Sequence, residues 1–110
     1  MRRFFTTALL FLAPAAWADG PADFKTFCST CHGDAGKGDG PSAVALNPKP
    51  ANFSDPAFWN ATRTDAYLRD CITNGKPKDG MVAWGKTGQI KPDMIENLIA
   101  YIKTFKAAAK

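Results

Sequence analysis

Cys28-Ser29-Thr30-Cys31-His32 places two thiols three residues apart with an imidazole directly behind them. On one helical turn that spacing brings both sulfurs to a single face, where they can reach the two vinyl groups of one porphyrin. The adjacent histidine then offers its ring nitrogen to the iron. This C-x-x-C-H run is the attachment pattern for c-type haem, with Cys28 and Cys31 as covalent anchors and His32 as proximal ligand. Two haem-free uses compete. A Cys28–Cys31 redox disulfide of the thioredoxin kind needs a preceding strand and a βαβ surround, and neither is legible. A zinc site of Cys28, Cys31, His32 and Cys71 has four ligands, but Cys31 and His32 would have to bind side by side, with no second close ligand pair.

Working outward, Phe24, Phe27, Cys28 and Cys31 fall at i, i+3, i+4 and i+7, one face of a helix that begins near Pro21 and stops at Gly33. From Gly33 to Pro56 the chain is rich in glycine and proline and reads as a long irregular segment wrapped around something. A second helix is expected over Asp65–Asn74, with Thr64 as its cap and Gly75 past its end. Gly75 to Pro92 is loop again. A third helix is expected from Asp93 to about Ala107, because Met94, Leu98, Tyr101, Ile102 and Phe105 recur at helical spacing. No segment alternates as a strand would. Three helices and two loops carry too little apolar bulk for a core of their own, so a bulky apolar group is missing from the sequence.

The N-terminus reads as a leader. Arg2 and Arg3 precede an apolar stretch from Phe4 to Ala13, and Ala16-Trp17-Ala18 is a small-x-small cleavage site. The stretch is about half the roughly 20 residues needed to span a bilayer, so no stable membrane insertion is expected. The expected division is a signal peptide over 1–18 and one domain over 19–110; a chain of 110 residues excludes a multidomain enzyme. The formal charge of +4 invites a nucleic-acid partner, but both leader arginines leave with the peptide, and the remaining twelve basic residues face ten acidic ones. Two ionised haem propionates would cancel what is left, and no nucleic acid is expected as a partner. Export also sets the redox setting. With three cysteines in the chain, at least one is free, intermolecular or attached to another group.

His32 is the single histidine, so a second histidine ligand within the chain is impossible. The sixth ligand is a methionine, something else, or nothing. Met94 lies on the apolar face of the third helix and suits packing. Met81 sits in Gly80-Met81-Val82-Ala83-Trp84-Gly85, where a long thioether can swing onto the iron. Methionine/histidine ligation raises the reduction potential and favours electron transfer over oxygen chemistry. Trp59, Trp84 and Arg63 carry N–H donors suited to a haem propionate. Cys71 falls on the inner side of the second helix as a small buried hydrophobe, with an intermolecular disulfide as its alternative.

These motifs resemble the class I c-type cytochromes, small monohaem electron carriers of respiratory chains. Gly20 and Phe24 precede Cys28 as that family's packing glycine and aromatic do, Leu98 to Lys103 is similar to its C-terminal helix, and Gly38-Asp39-Gly40-Pro41 with Leu46 to Phe53 is similar to its bacterial branch. The resemblance implies an all-α cytochrome c fold, three or more helices around one covalently bound haem, with the N- and C-terminal helices crossing. It implies that the Pro41 carbonyl accepts from the far nitrogen of His32, and that Met81 is the axial methionine, although Val82 stands where proline is common. The function implied is a periplasmic one-electron carrier between reductase and oxidase partners, a monomer with no substrate chemistry. The competing function is a gas sensor or weak peroxidase with a labile methionine. Lys76, Lys78 and Lys86 flank the Met81 loop as a candidate rim for an acidic redox partner.

Overall fold

The computed structural model describes residues 19–108, and the leader expected over residues 1–18 lies outside them. Helix α1 covers residues 20–32: it is α-helical over Gly20–Asp23 and Ser29–His32 and π-helical over Phe24–Cys28. In the π segment the Ser29 N–H reaches back five residues to the Phe24 carbonyl. Gly33, at φ 80°, ends the helix in a conformation that a β-carbon disfavours.

Helix α2 spans Asp65–Asn74, with the Thr64 hydroxyl accepting from the Tyr67 N–H and Gly75 at φ 65° closing it. Helix α3 spans Pro92–Ala108, starting one residue before the expected Asp93 because a proline at the first position forfeits no hydrogen bond. Between the helices run irregular segments with short 3-10 turns at Ala43–Ala45, Pro56–Phe58 and Pro77–Asp79. Among the described residues there is no strand, only an isolated antiparallel bridge between Lys76 and Met81.

The two terminal helices cross where Gly20 lets the backbones approach. A β-carbon there would lie 2.8 Å from the Asn97 carbonyl oxygen and 2.9 Å from Tyr101 Cβ. Phe24 fills the next layer, with its ring 5.3 Å from Tyr101 and 5.5 Å from Phe105. Leu68 and Ile72 of α2, Ile95, Leu98, Ile99 and Ile102 of α3, and Phe53 and Ile90 from the loops complete the core. Two ion pairs, Arg69–Glu96 and Lys103–Asp65, join α2 to α3 on the surface. Exposed pairs of this kind contribute little, so burial of the apolar faces holds the arrangement.

Candidate functional site

The helices and loops enclose an apolar cavity of about 400 Å³, within the range of cofactor sites. Helix α1 supplies Phe27, Cys28, Cys31 and His32, and α2 supplies Tyr67, Leu68, Cys71 and Ile72. The loops contribute Leu46, Pro50, Ala51, Met81 and Trp84. Both thiols of the C-x-x-C-H run, its imidazole and the loop thioether therefore line one space.

Burial pushes the Cys28 thiol up to about 12, and the Asp23 carboxylate and Cys31 add to the rise, so Cys28 is a neutral thiol at physiological pH. Burial also lowers the affinity of His32 for a proton, against the opposing pull of the Ala51 carbonyl. Its Nδ1 lies 3.2 Å from that carbonyl oxygen. A carbonyl can only accept, so Nδ1 carries the hydrogen and Nε2 keeps its lone pair for a metal.

That acceptor corrects one expectation, since Ala51 and not Pro41 partners the imidazole. Bonds from Gly40 N–H to the Cys31 carbonyl (3.1 Å) and from Ser42 N–H to the Thr30 carbonyl (2.9 Å) hold Pro41 against the outside of α1. There it is exposed, beside Ser29, Thr30, Asp34 and Asp39. The Phe53 N–H meanwhile donates to the Gly36 carbonyl at 2.7 Å, and the Phe53 ring stacks on His32 at 4.8 Å. This carries Ala51 across the imidazole.

Of the two candidate methionines, Met81 lines the cavity. Met94 packs on the core, with its sulfur 3.4 Å from the Lys91 N–H. Met81 is paired with Lys76 through both backbone groups, each bond 3.0 Å. Val82 lies at the cavity's edge and is 44% exposed.

The donors proposed for a propionate separate. Trp59 does not line the cavity, and its indole N–H already donates to the Phe53 carbonyl at 2.8 Å. Trp84 lines it and packs edge-on against Phe27 at 5.1 Å. Arg63 lines it too, its guanidinium 4.5 Å from the Tyr67 ring and 5.0 Å from the Phe58 ring. Its Nε is buried with no hydrogen-bond partner. A buried N–H left in that state costs about 1–3 kcal/mol, so it calls for an acceptor that the described residues do not supply. Cys71 is buried on the cavity wall, where a bond to a second chain would require opening the fold. Among the described residues no three metal-binding side chains converge in the geometry of a zinc site.

Haem fits this donor set: two thiols one helical turn apart, a neutral imidazole with a free lone pair, an apolar enclosure, and an orphaned arginine N–H suited to a carboxylate. A helical shell around such a cavity defines a c-type cytochrome. The family model described as Cytochrome C oxidase, cbb3-type, subunit III matches residues 15–102, and the chain belongs to that family of cytochrome c domains. It is 29% identical over 102 residues to the cbb3-type cytochrome c oxidase subunit CcoP of Azospirillum sp. (strain B510), covering 86% of this chain and 32% of the relative. It also resembles a chain of the reducing HAO-like protein complex of Kuenenia stuttgartiensis, with a TM-score of 0.68, 26% identity and coverage of 84% of this chain and 44% of that one. The chain thus spans about a third of the curated relative and under half of the structural one. Its cofactor is covalently bound haem c with iron.

Proposed function

We propose that this protein is a periplasmic one-electron carrier rather than an enzyme, with Cys28 and Cys31 as thioether anchors of the haem and His32 and Met81 as its axial ligands. One observation carries the reading: His32 on α1 and Met81 on the loop after α2 line the same apolar cavity as the two thiols. Haem c supplies a ferric/ferrous couple. The chain does the rest. Ala51 holds the imidazole in the tautomer that donates through Nε2. Leu68, Ile72 and Phe27 keep water from the cavity. With His32 and Met81 both holding the iron, no open position would remain for a substrate.

The chain's relation to an oxidase subunit supports respiratory redox partners, on the reductase and oxidase sides. Lys78 and Lys86 are exposed beside the Met81 loop and suit an acidic partner, while Lys76 is engaged with Tyr67. Burial of Cys71 favours a monomer. No helix among the described residues is long and apolar enough to cross a membrane. Cleavage after Ala18 would leave Asp19 as the first residue, which N-terminal sequencing of periplasmic protein reads directly.

Carbon monoxide added to the ferrous holoprotein tests the assignment. Slow, incomplete binding is expected in the parent and rapid, complete binding in Met81→Ala. Rapid, tight binding by the parent at neutral pH would overturn the carrier reading in favour of a gas-binding protein.

A further inference from the structure

Lys76 has two attachments at once. Its backbone forms both hydrogen bonds of the bridge to Met81, each 3.0 Å, so residues 76–81 close into a small ring with the 3-10 turn Pro77–Asp79 inside it. Its side chain turns the other way. The ammonium donates to the Tyr67 hydroxyl at 2.9 Å and lies 5.1 Å from the centre of that ring. Tyr67 sits in the first turn of α2, fixed by its own N–H on the Thr64 hydroxyl at 3.1 Å and by the Arg63 guanidinium stacked 4.5 Å away. A loop methionine otherwise reaches a metal at the cost of ordering its loop. Here a single residue links the ring that carries Met81 to a rigid helix.

We propose that Lys76 is a positioning residue for Met81, and that its contact with the Tyr67 hydroxyl keeps the thioether close to its place at the haem. The proposal rests on Met81 being an axial ligand. Tyr67 then acts as a peg on α2, Lys76 as the tether and Met81 as the tethered group. Among the described residues the ammonium takes part in neither ion pair, since these join Arg69 to Glu96 and Lys103 to Asp65.

The test measures carbon monoxide binding to ferrous holoprotein by stopped flow, because binding reports how often Met81 is away. Lys76→Met and Tyr67→Phe should each speed binding by about three- to tenfold, the value of one hydrogen bond to a charged group exposed on one side. The double variant should be no faster than either single, since both remove the same contact. Lys76→Arg, which can still donate to the phenol, should return the rate to within about twofold of the parent. Unchanged optical spectra in all four confirm an intact haem environment. Rates in Lys76→Met and Tyr67→Phe within twofold of the parent, or effects that multiply in the double variant, overturn the tether. Met81→Ala separates the two failures: if it binds no faster than the parent, the ligand assignment fails and the tether falls with it.

Discussion

Replacing Phe24 with alanine should unfold this protein at a much lower temperature, and the size of the loss follows from its surroundings. The side chain is 1% exposed, its ring 5.3 Å from Tyr101 and 5.5 Å from Phe105. Truncating such a phenylalanine costs about 3–5 kcal/mol, with lost ring-edge pairing worth about 0.5–1.5 kcal/mol within or beyond it. Taking about 4 kcal/mol, and about 4–8 °C per kcal/mol for a domain of this size, Tm should fall by roughly 15–30 °C. Phe24→Leu keeps most of the volume and loses only the ring contacts, so a drop of about 5–10 °C is expected. Thermal unfolding of the holoprotein, followed by far-ultraviolet circular dichroism at neutral pH, measures both. Covalent attachment keeps haem on the chain throughout, so the difference reports packing and not cofactor loss. A Phe24→Ala variant melting within about 5 °C of the parent would refute the claim that the crossing of α1 and α3 is a main source of stability.

Arg63→Met should lower the reduction potential, because removing a cation beside the haem favours the more positive ferric state, and should lower the holoprotein Tm as a charged hydrogen bond worth about 1.5–3 kcal/mol is lost. An unchanged potential by equilibrium titration would mean that the orphaned Nε meets no haem carboxylate. Two surface carboxyls should show opposite pH behaviour in thermal melts. Burial, then Asp19 and Asp93, raise Asp23 above its ordinary value, so its ionised form penalises the fold at neutral pH and the penalty disappears as pH falls below the ordinary carboxyl range. Asp23→Asn should therefore raise Tm at pH 7 and have no effect in acid. The hydrogen bond from Arg69 holds Glu96 below its ordinary value, so that contribution is present at neutral pH and lost as pH falls through the native value. Glu96→Gln should lower Tm slightly at pH 7 and flatten the acid limb; identical pH profiles for the two variants would contradict both assignments.

Much of the fold was legible because local chemistry decided it. Thr64 and Gly75 bound α2 at the positions read from the sequence, and Gly20 with Phe24 mark the helix crossing through side-chain size alone. The π segment at Phe24–Cys28 was not legible. It inserts a wider turn without changing which residues are apolar, and a period of 3.6 cannot register that. The proposed haem anchors, Cys28 and Cys31, follow from spacing alone, whereas the partners of the site depend on where long loops return. Ala51 reaches His32 only because Phe53 is bonded to Gly36, a contact between residues far apart in sequence with no local signature. For Trp59 the reason is local: its N–H donates to the Phe53 carbonyl, which the turn at Pro56–Phe58 brings near. Burial of the Arg63 Nε had no sequence signal, since neighbouring rings create it.

The two faces of the cavity are anchored unequally. His32 ends a helix whose Phe24 lies among the deepest side chains of the molecule, so exposing it entails global unfolding. Met81 belongs to a segment, residues 76–81, that closes on itself through the backbone bridge and reaches α2 through the Lys76–Tyr67 contact, so it can open as a subunit of the fold while the helices stay intact. Amide exchange should then divide the molecule into a slow body and a fast flap around residues 76–81. The order of failure is thereby built in: with Met81 as the ligand proposed above, it would leave the iron long before the protein loses its shape, and substitutions in that flap can retune the site at little risk to folding.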